Sequence, residues 1–197
     1  MSAFRFEDAY RGTPPWDIGR HQPVFEELAD AGEITGPVLD VGCGTGENAL
    51  FLAARGYEVI GVDAVEQAVR AARMKAAERG ATVEFEVHDA LALDGLGRRF
   101  ATVVDSGLFH VFGDGERPRF VRSLASVLKL GGRYYVLCFS DLEPGTQGPR
   151  RVTRAELLQV FDAPPLRVLS IEPAEMATNL GSDRKAWLGR IERVAGR

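Results

Sequence analysis

The run Val38-Leu39-Asp40-Val41-Gly42-Cys43-Gly44-Thr45-Gly46 constrains this chain more than any other stretch. Four residues of buried-strand character lead into three glycines at alternate positions, and an Ala- and Leu-rich helical segment over 48–55 follows at once. A strand that meets a helix through glycines has no Cβ in the way, so another molecule can approach the backbone closely. A second apolar run, Tyr57-Glu58-Val59-Ile60-Gly61-Val62, is closed by Asp63. Strand, glycine turn, helix, strand and terminal carboxylate form the first half of a nucleoside-binding βαβ unit. The carboxylate is placed to accept hydrogen bonds from ribose hydroxyls.

Glycine spacing separates one nucleoside from another. A dinucleotide turn requires G-x-G-x-x-G/A, whose third small residue lets the helix pack close and offer its N-terminus to a pyrophosphate. Here the glycines stand at 42, 44 and 46, and Glu47 takes the third dinucleotide position. A carboxylate there repels a pyrophosphate but tolerates a ligand carrying an ammonium and a sulfonium. Asp40 adds a second acid just before the glycines. Acid-x-Gly-x-Gly-x-Gly at a strand end resembles motif I of the class I S-adenosylmethionine-dependent methyltransferases. The Leu130-Gly131-Gly132 turn further on resembles the same family.

The rest of the chain alternates. Helical periodicity covers 23–32 and 64–79, with Gly80 at the usual C-terminal position. Strands are expected at 82–87, 100–105 and 133–139, with a helix over 118–128 between the last two. A loop over 140–150 rich in Pro and Gly precedes Thr153-Arg154-Ala155-Glu156, a capping box that opens a helix to about residue 161. Two further strands, 166–171 and 186–194, have no substantial helix between them, so one of them is expected to run antiparallel. Alternation of this kind implies an α/β chain with a parallel sheet covered on both faces. The resemblance implies more: a Rossmann-like, seven-stranded, mostly parallel sheet with an antiparallel last strand and helices on both faces.

Residues 1–22 are expected to form an aromatic arm, and residues 23–197 one S-adenosylmethionine-binding methyltransferase domain. The arm carries Phe4, Phe6, Tyr10 and then Pro14-Pro15-Trp16-Asp17-Ile18-Gly19-Arg20. The prolines hold the backbone extended and present Trp16 on a stiff loop. Either one buried Trp pins the arm to the surface, or the arm is a lid on which Trp16 and Tyr10 exclude water and face a sulfonium. This arm pattern narrows the resemblance to the small-molecule, thiopurine/tellurite-type branch, especially members that methylate heteroaromatic or quinolone-like compounds.

Four expected strands end in acids: Asp40, Asp63, Asp89 and Asp105. Each alone suits a helix N-cap; side by side they form a carboxylate rim that a cationic ligand would relieve. In the resemblance Asp63 holds the ribose and Asp89 the adenine amino group, while Asp40 and Gly42 hold the methionine end. Gly44 and Gly46 complete the turn, Asp105 the rim, and Ala64 and Ala90 make backbone contacts to the adenosine. Transfer then proceeds by direct in-line displacement to an O, N or S nucleophile. His110, between Phe109 and Phe112, is the candidate base, with Tyr10, Trp16, Phe109 and Phe112 around an aromatic acceptor. The plainer reading of His110 is a buried ring satisfied by a backbone carbonyl.

Other classes fare worse. A net charge of −4 and a pI near 5.5 argue against a partner held by phosphate neutralisation. The fourth strand ends in Asp105-Ser106-Gly107-Leu108 and not in the Asn/Asp-Pro-Pro-aromatic motif of nucleic-acid methylation, so no nucleic acid is expected. Asp105 and Asp141 are too few acids for a metal-assisted site, and no metal is expected. No apolar run approaches a membrane span, the N-terminus has no apolar leader core, and two cysteines fit reduced thiols in a cytoplasmic protein. A monomer and a homodimer are both compatible. The competing readings are a non-catalytic S-adenosylmethionine-binding protein and a nicotinamide-dependent oxidoreductase, the latter disfavoured by Glu47.

Overall fold

The computed structural model describes residues 6–181 and 183–196. Phe4 and the Phe6 side chain, both expected in the arm, lie outside what it describes. A short α1 (Phe6–Ala9) and α2 (Pro23–Asp30) precede β1 (Val38–Val41), α3 (Glu47–Ala54), β2 (Val59–Asp63), α4 (Glu66–Arg79) and β3 (Glu84–Val87). There follow β4 (Phe100–Ser106), α5 (Arg117–Val127), β5 (Leu128–Phe139), α6 (Arg154–Phe161), β6 (Leu166–Met176) and β7 (Arg184–Arg193). Among the described residues seven strands form one sheet, in the order β3-β2-β1-β4-β5-β7-β6. The first five strands pair in parallel, and β7 runs antiparallel to both its neighbours, β5 and β6. The reversed last strand is therefore present.

Local signals act where the sequence places them. Gly80 takes a left-handed φ of +61° and ends α4, and the Thr153–Glu156 capping box opens α6 with both reciprocal bonds made. Two elements are longer than expected. Strand β5 begins at Leu128, which pairs with Phe100 before the chain bends at Gly131 and resumes pairing at Arg133. Strand β6 runs on to Met176 because β7 pairs with it along its length, as far as Met176 opposite Arg184. Between β3 and β4 the chain makes only 3₁₀ turns over Ala90–Leu96, interrupted at Ala92.

Alternate strand residues point to opposite faces, and both faces are covered. Leu39, Val41, Ile60, Val103, Tyr134 and Val136 pack with Phe120 and Leu124 of α5 and Phe161 of α6. Val38, Val59, Val104, Tyr135 and Leu137 pack with Phe25 of α2, Leu52 of α3 and Val69 of α4. From β1 the sheet grows first through β2 and β3, and the chain then crosses back to β4 on the other side of β1. Strand order thus reverses between β1 and β4, and a crevice opens beyond their carboxyl ends, the usual ligand position in such sheets.

Candidate active site

The glycine turn forms the floor of that crevice. Gly42 and Cys43 donate backbone N–H bonds to the Val62 carbonyl, 2.8 and 2.9 Å, which fixes the turn against β2. The glycines have different jobs. A Cβ on Gly46 (φ +87°) would stand 2.6 Å from Phe85 and 2.9 Å from Ala72, and one on Gly42 would stand 2.9 Å from Leu108, so both positions are closed by internal packing. A Cβ on Gly44 (φ +54°) would meet only the Tyr10 hydroxyl, at 3.0 Å. Gly44 therefore presents bare backbone to the space beneath the arm.

Asp63 ends β2 beside this floor. Its two oxygens accept the N–H groups of Gly44 and Val65, each at 2.9 Å. Burial pushes its carboxyl up, and those two bonds pull it back. Each oxygen retains a lone pair for a hydroxyl donor. Asp89 is exposed and accepts the Leu91 N–H at 2.9 Å. Ala64 beyond β2 is exposed, whereas Ala90 is buried with its carbonyl bound to the Ser123 hydroxyl.

The other two strand-end acids lie inside the protein, and the expected four-acid rim is reduced to two. Asp40 accepts the Ala49 N–H at 3.1 Å through Oδ2, while its buried Oδ1 has no partner among the described residues. Burial pushes its carboxyl up to about 8, with Asp105 and Asp63 adding to the shift. Asp105 faces the core, where it accepts the N–H groups of Leu108 and Phe109 and the Tyr134 hydroxyl at 2.7 Å. Burial raises it to about 7 against those bonds. Its place in the rim is corrected to that of a buried clasp on the turn after β4.

The acceptor-side expectations need correction too. Phe109 is fully buried against Phe161 and Phe120, with the Arg117 guanidinium 4.8 Å over its ring. Phe112 packs 4.9 Å from Phe120. Both rings belong to the core, because the Asp105 clasp turns the segment inward. His110 is buried, and its Nδ1 accepts the Phe139 N–H at 3.1 Å. Burial, helped by Arg151, pushes its pKa down to about 3. Such a ring is neutral and ill suited to take a proton, so the general-base assignment does not survive. The plainer expectation was wrong in detail as well: the partner is a backbone donor, not a carbonyl.

The arm lies over the glycine turn. Trp16 is half-buried and donates its indole N–H to the Tyr10 hydroxyl at 3.2 Å, the two rings meeting edge to face. Asn179, between β6 and β7, donates its side-chain amide to the Pro14 carbonyl and its backbone N–H to that of Pro15, both at 3.0 Å. Gln22 exchanges two bonds with the backbone of Ala177, at 3.0 and 2.8 Å. Between arm and turn lies a cleft of about 420 Å³, counting its open mouth, lined by Trp16, Asp17, Arg20, Gly44, Asn48 and Ser106 among others. Asp17, Arg20, Asn48 and Ser106 were not expected as site residues, although Asp17 and Arg20 stand within the arm motif, Ser106 directly follows Asp105 and Asn48 lies two residues past Gly46. Glu47, expected to repel diphosphate, is bonded to Lys75 and Arg79 at 2.8 to 2.9 Å. Burial alone would raise its carboxyl, but those bonds outweigh it and hold it below the usual range. Among the described residues no three metal-ligating side chains come together.

A family profile described as a methyltransferase domain matches residues 38–132. Over 185 residues the chain is 37% identical to a 2-heptyl-1-hydroxyquinolin-4(1H)-one methyltransferase of Mycobacteroides abscessus, covering 88% of this chain and 81% of that protein. The chain is a class I S-adenosylmethionine-dependent methyltransferase. Its branch contains enzymes named for small-molecule acceptors. A probable thiol methyltransferase 2 of Arabidopsis thaliana is 28% identical across 84% of this methyltransferase and 74% of its own length. The structure reported for the conversion of a disulfide bond into a thioacetal group during echinomycin biosynthesis superposes with a TM-score of 0.88. It is 36% identical and covers 96% of this methyltransferase and 92% of that chain.

The residues present fit S-adenosylmethionine. Bare Gly44 backbone, an Asp63 carboxylate with lone pairs to spare and an unpartnered Asp40 oxygen sit together at the end of β1 and β2. That set suits a ligand with hydroxyls, an ammonium and a sulfonium.

Proposed function

We propose that this methyltransferase moves the methyl group of S-adenosylmethionine to a hydroxyl- or thiol-bearing heteroaromatic small molecule, beneath a lid formed by the described part of the arm, residues 6–22. The arm tied across the bare Gly44 backbone carries this reading, since it roofs the place where the reacting groups must meet. The 37% identity to a hydroxyquinolone methyltransferase supports the acceptor class. In this reading Asp63 takes the ribose hydroxyls, Asp89 the adenine amino group, and Ala64 and Ala90 backbone contacts beside them. The Gly44 backbone and Asp40 take the methionine end, with Gly42 and Gly46 shaping the turn and Arg20 available for the carboxylate. Trp16 and Tyr10 close over the sulfonium and keep water away.

Bound S-adenosylmethionine supplies an already activated methyl, so the chain's task is positioning and exclusion of water. With His110 neutral, the acceptor's proton leaves to solvent. The net charge of −4 supports a small acceptor over a nucleic acid, and the two buried, unpaired cysteines suit a reducing cytoplasm. The test is release of S-adenosylhomocysteine with 2-heptyl-1-hydroxyquinolin-4(1H)-one and with simple arylthiols. Turnover of either supports the reading; donor binding with no turnover across such a panel refutes the acceptor class.

A further inference from the structure

Once Nδ1 of His110 accepts the Phe139 N–H, the tautomer of the neutral ring is settled. The proton sits on Nε2, which is then a donor only. Among the described residues Nε2 has no hydrogen-bond partner, although the residue is only 5% exposed. Around the ring, Phe139 lies edge-on at 5.2 Å, and Arg151 is the charged group that acts on it. The Nε2 edge lies against Gly107, with Cε1 and Nε2 3.3 and 3.5 Å from where a Cβ on that glycine would stand, and Met176 3.7 Å from the same point. Gly107 directly follows Ser106, which lines the cleft. Nε2 is not among the unpartnered side-chain atoms sealed from solvent, so on this otherwise buried ring the Nε2–H edge stands open to an incoming hydrogen-bond acceptor.

Building on the acceptor reading above, we propose that His110 holds the acceptor's nucleophilic oxygen through Nε2–H, and so selects hydroxylated heteroaromatics that ionise in water near neutral pH. The acceptor's O–H proton leaves to water before binding. The oxygen lone pair then forms the new O–C bond as the C–S bond of the sulfonium breaks, and sulfur keeps that electron pair as a neutral thioether. The hydrogen bond is strongest to the full anion and weakens as the charge is consumed. Its contribution therefore lies in binding the acceptor, in KM more than in kcat.

The experiment uses the whole chain, 2-heptyl-1-hydroxyquinolin-4(1H)-one as probe, and the variants His110→Leu and His110→Gln. A glutamine amide carries an acceptor for Phe139 N–H and a donor for the oxygen; leucine carries neither. S-adenosylhomocysteine affinity, read by calorimetry, reports that each variant is folded. Expected are a KM raised about 10- to 100-fold in His110→Leu, the span of one hydrogen bond to a charged group, and recovery to within several-fold in His110→Gln. The kcat/KM profile of the wild type should rise once, at the acceptor's own ionisation, and His110→Gln should keep that limb. A limb lost in His110→Gln, or a glutamine variant as impaired as the leucine one with donor binding intact, overturns the proposal. If His110→Leu does not bind S-adenosylhomocysteine, His110→Gln decides alone, a KM raised tenfold or more counting against. No turnover of the probe while S-adenosylhomocysteine still binds sinks the acceptor reading and this inference with it; turnover by His110→Leu equal to wild type sinks this inference alone.

Discussion

Alanine at Gly44 and alanine at Gly46 should fail in opposite ways, although the two sites are neighbours in one turn. At Gly46 the φ of +87° is left-handed, and the new Cβ would stand 2.6 Å from Phe85, a core ring, and 2.9 Å from Ala72. The backbone conformation costs an L-residue roughly 1–2 kcal/mol, and forcing a methyl into a filled core about 1–3 kcal/mol more. For a chain of this length each kcal/mol moves Tm by about 2–4 °C, so Gly46→Ala should melt about 4–20 °C early. At Gly44 the φ of +54° is the left-handed value that alanine tolerates best, and the Cβ would meet only the movable Tyr10 hydroxyl. The stability cost stays at about 1–2 kcal/mol. There the methyl occupies the donor's own space, and overpacking of about 1–3 kcal/mol becomes a loss of affinity of about 5- to 100-fold. Thermal melts without ligand and calorimetric titration with S-adenosylhomocysteine separate the two effects. A Gly46→Ala protein that melts with the wild type, or a Gly44→Ala protein that binds S-adenosylhomocysteine normally, would refute the division of labour within the turn.

Asp63→Asn should lower S-adenosylhomocysteine affinity about 10- to 100-fold, as expected for loss of bonds to a charged acceptor; unchanged affinity would count against the ribose assignment. Asp40, raised to about 8 by burial, holds a proton in the folded chain that the unfolded chain releases near its ordinary value. Its favourable contribution is therefore complete at acid pH and is lost as pH rises toward 8. Asp40→Asn should flatten that decline, and between pH 5 and pH 8 the variant should gain up to about 4 kcal/mol on the wild type. Comparing Tm at the two pH values checks it, and parallel curves would refute it. Asn179→Ala removes the side-chain bond to Pro14 and should cost about 0.5–1.5 kcal/mol while speeding amide hydrogen exchange over residues 10–18; unaltered exchange would mean that the tether does not hold the arm.

The sheet was readable because its signals are local: apolar runs of strand length, glycine turns, a capping box and a helix-ending Gly80 each sit within a few residues of what they specify. Where the sequence reading fell short, the deciding partner lay far along the chain. Met176 belongs to β6 because β7 runs beside it, and nothing between 166 and 176 announces that. The site followed the same division. Gly42, Gly44, Gly46 and Asp63 could be placed from spacing alone, but whether an acid faces the crevice or the core depends on which distant groups meet it. Tyr134 and the turn amides draw Asp105 inward, whereas the α3 amide of Ala49 holds one oxygen of Asp40 and leaves the other unpartnered. His110, expected to take a proton, accepts a hydrogen bond at Nδ1, because the Phe139 amide that fixes its ring comes from a neighbouring strand.

The bonds from Gln22 to Ala177 and from Asn179 to Pro14 and Pro15 join the amino-terminal arm to the β6–β7 connection. Neither segment can drift in sequence on its own, since each supplies the other's partners. A grafted amino-terminal piece from a relative would leave the β6–β7 connection with unmet amides unless that connection travelled with it. Retargeting this scaffold to a new acceptor is thus a matter of exchanging a matched pair of parts while the sheet beneath stays untouched.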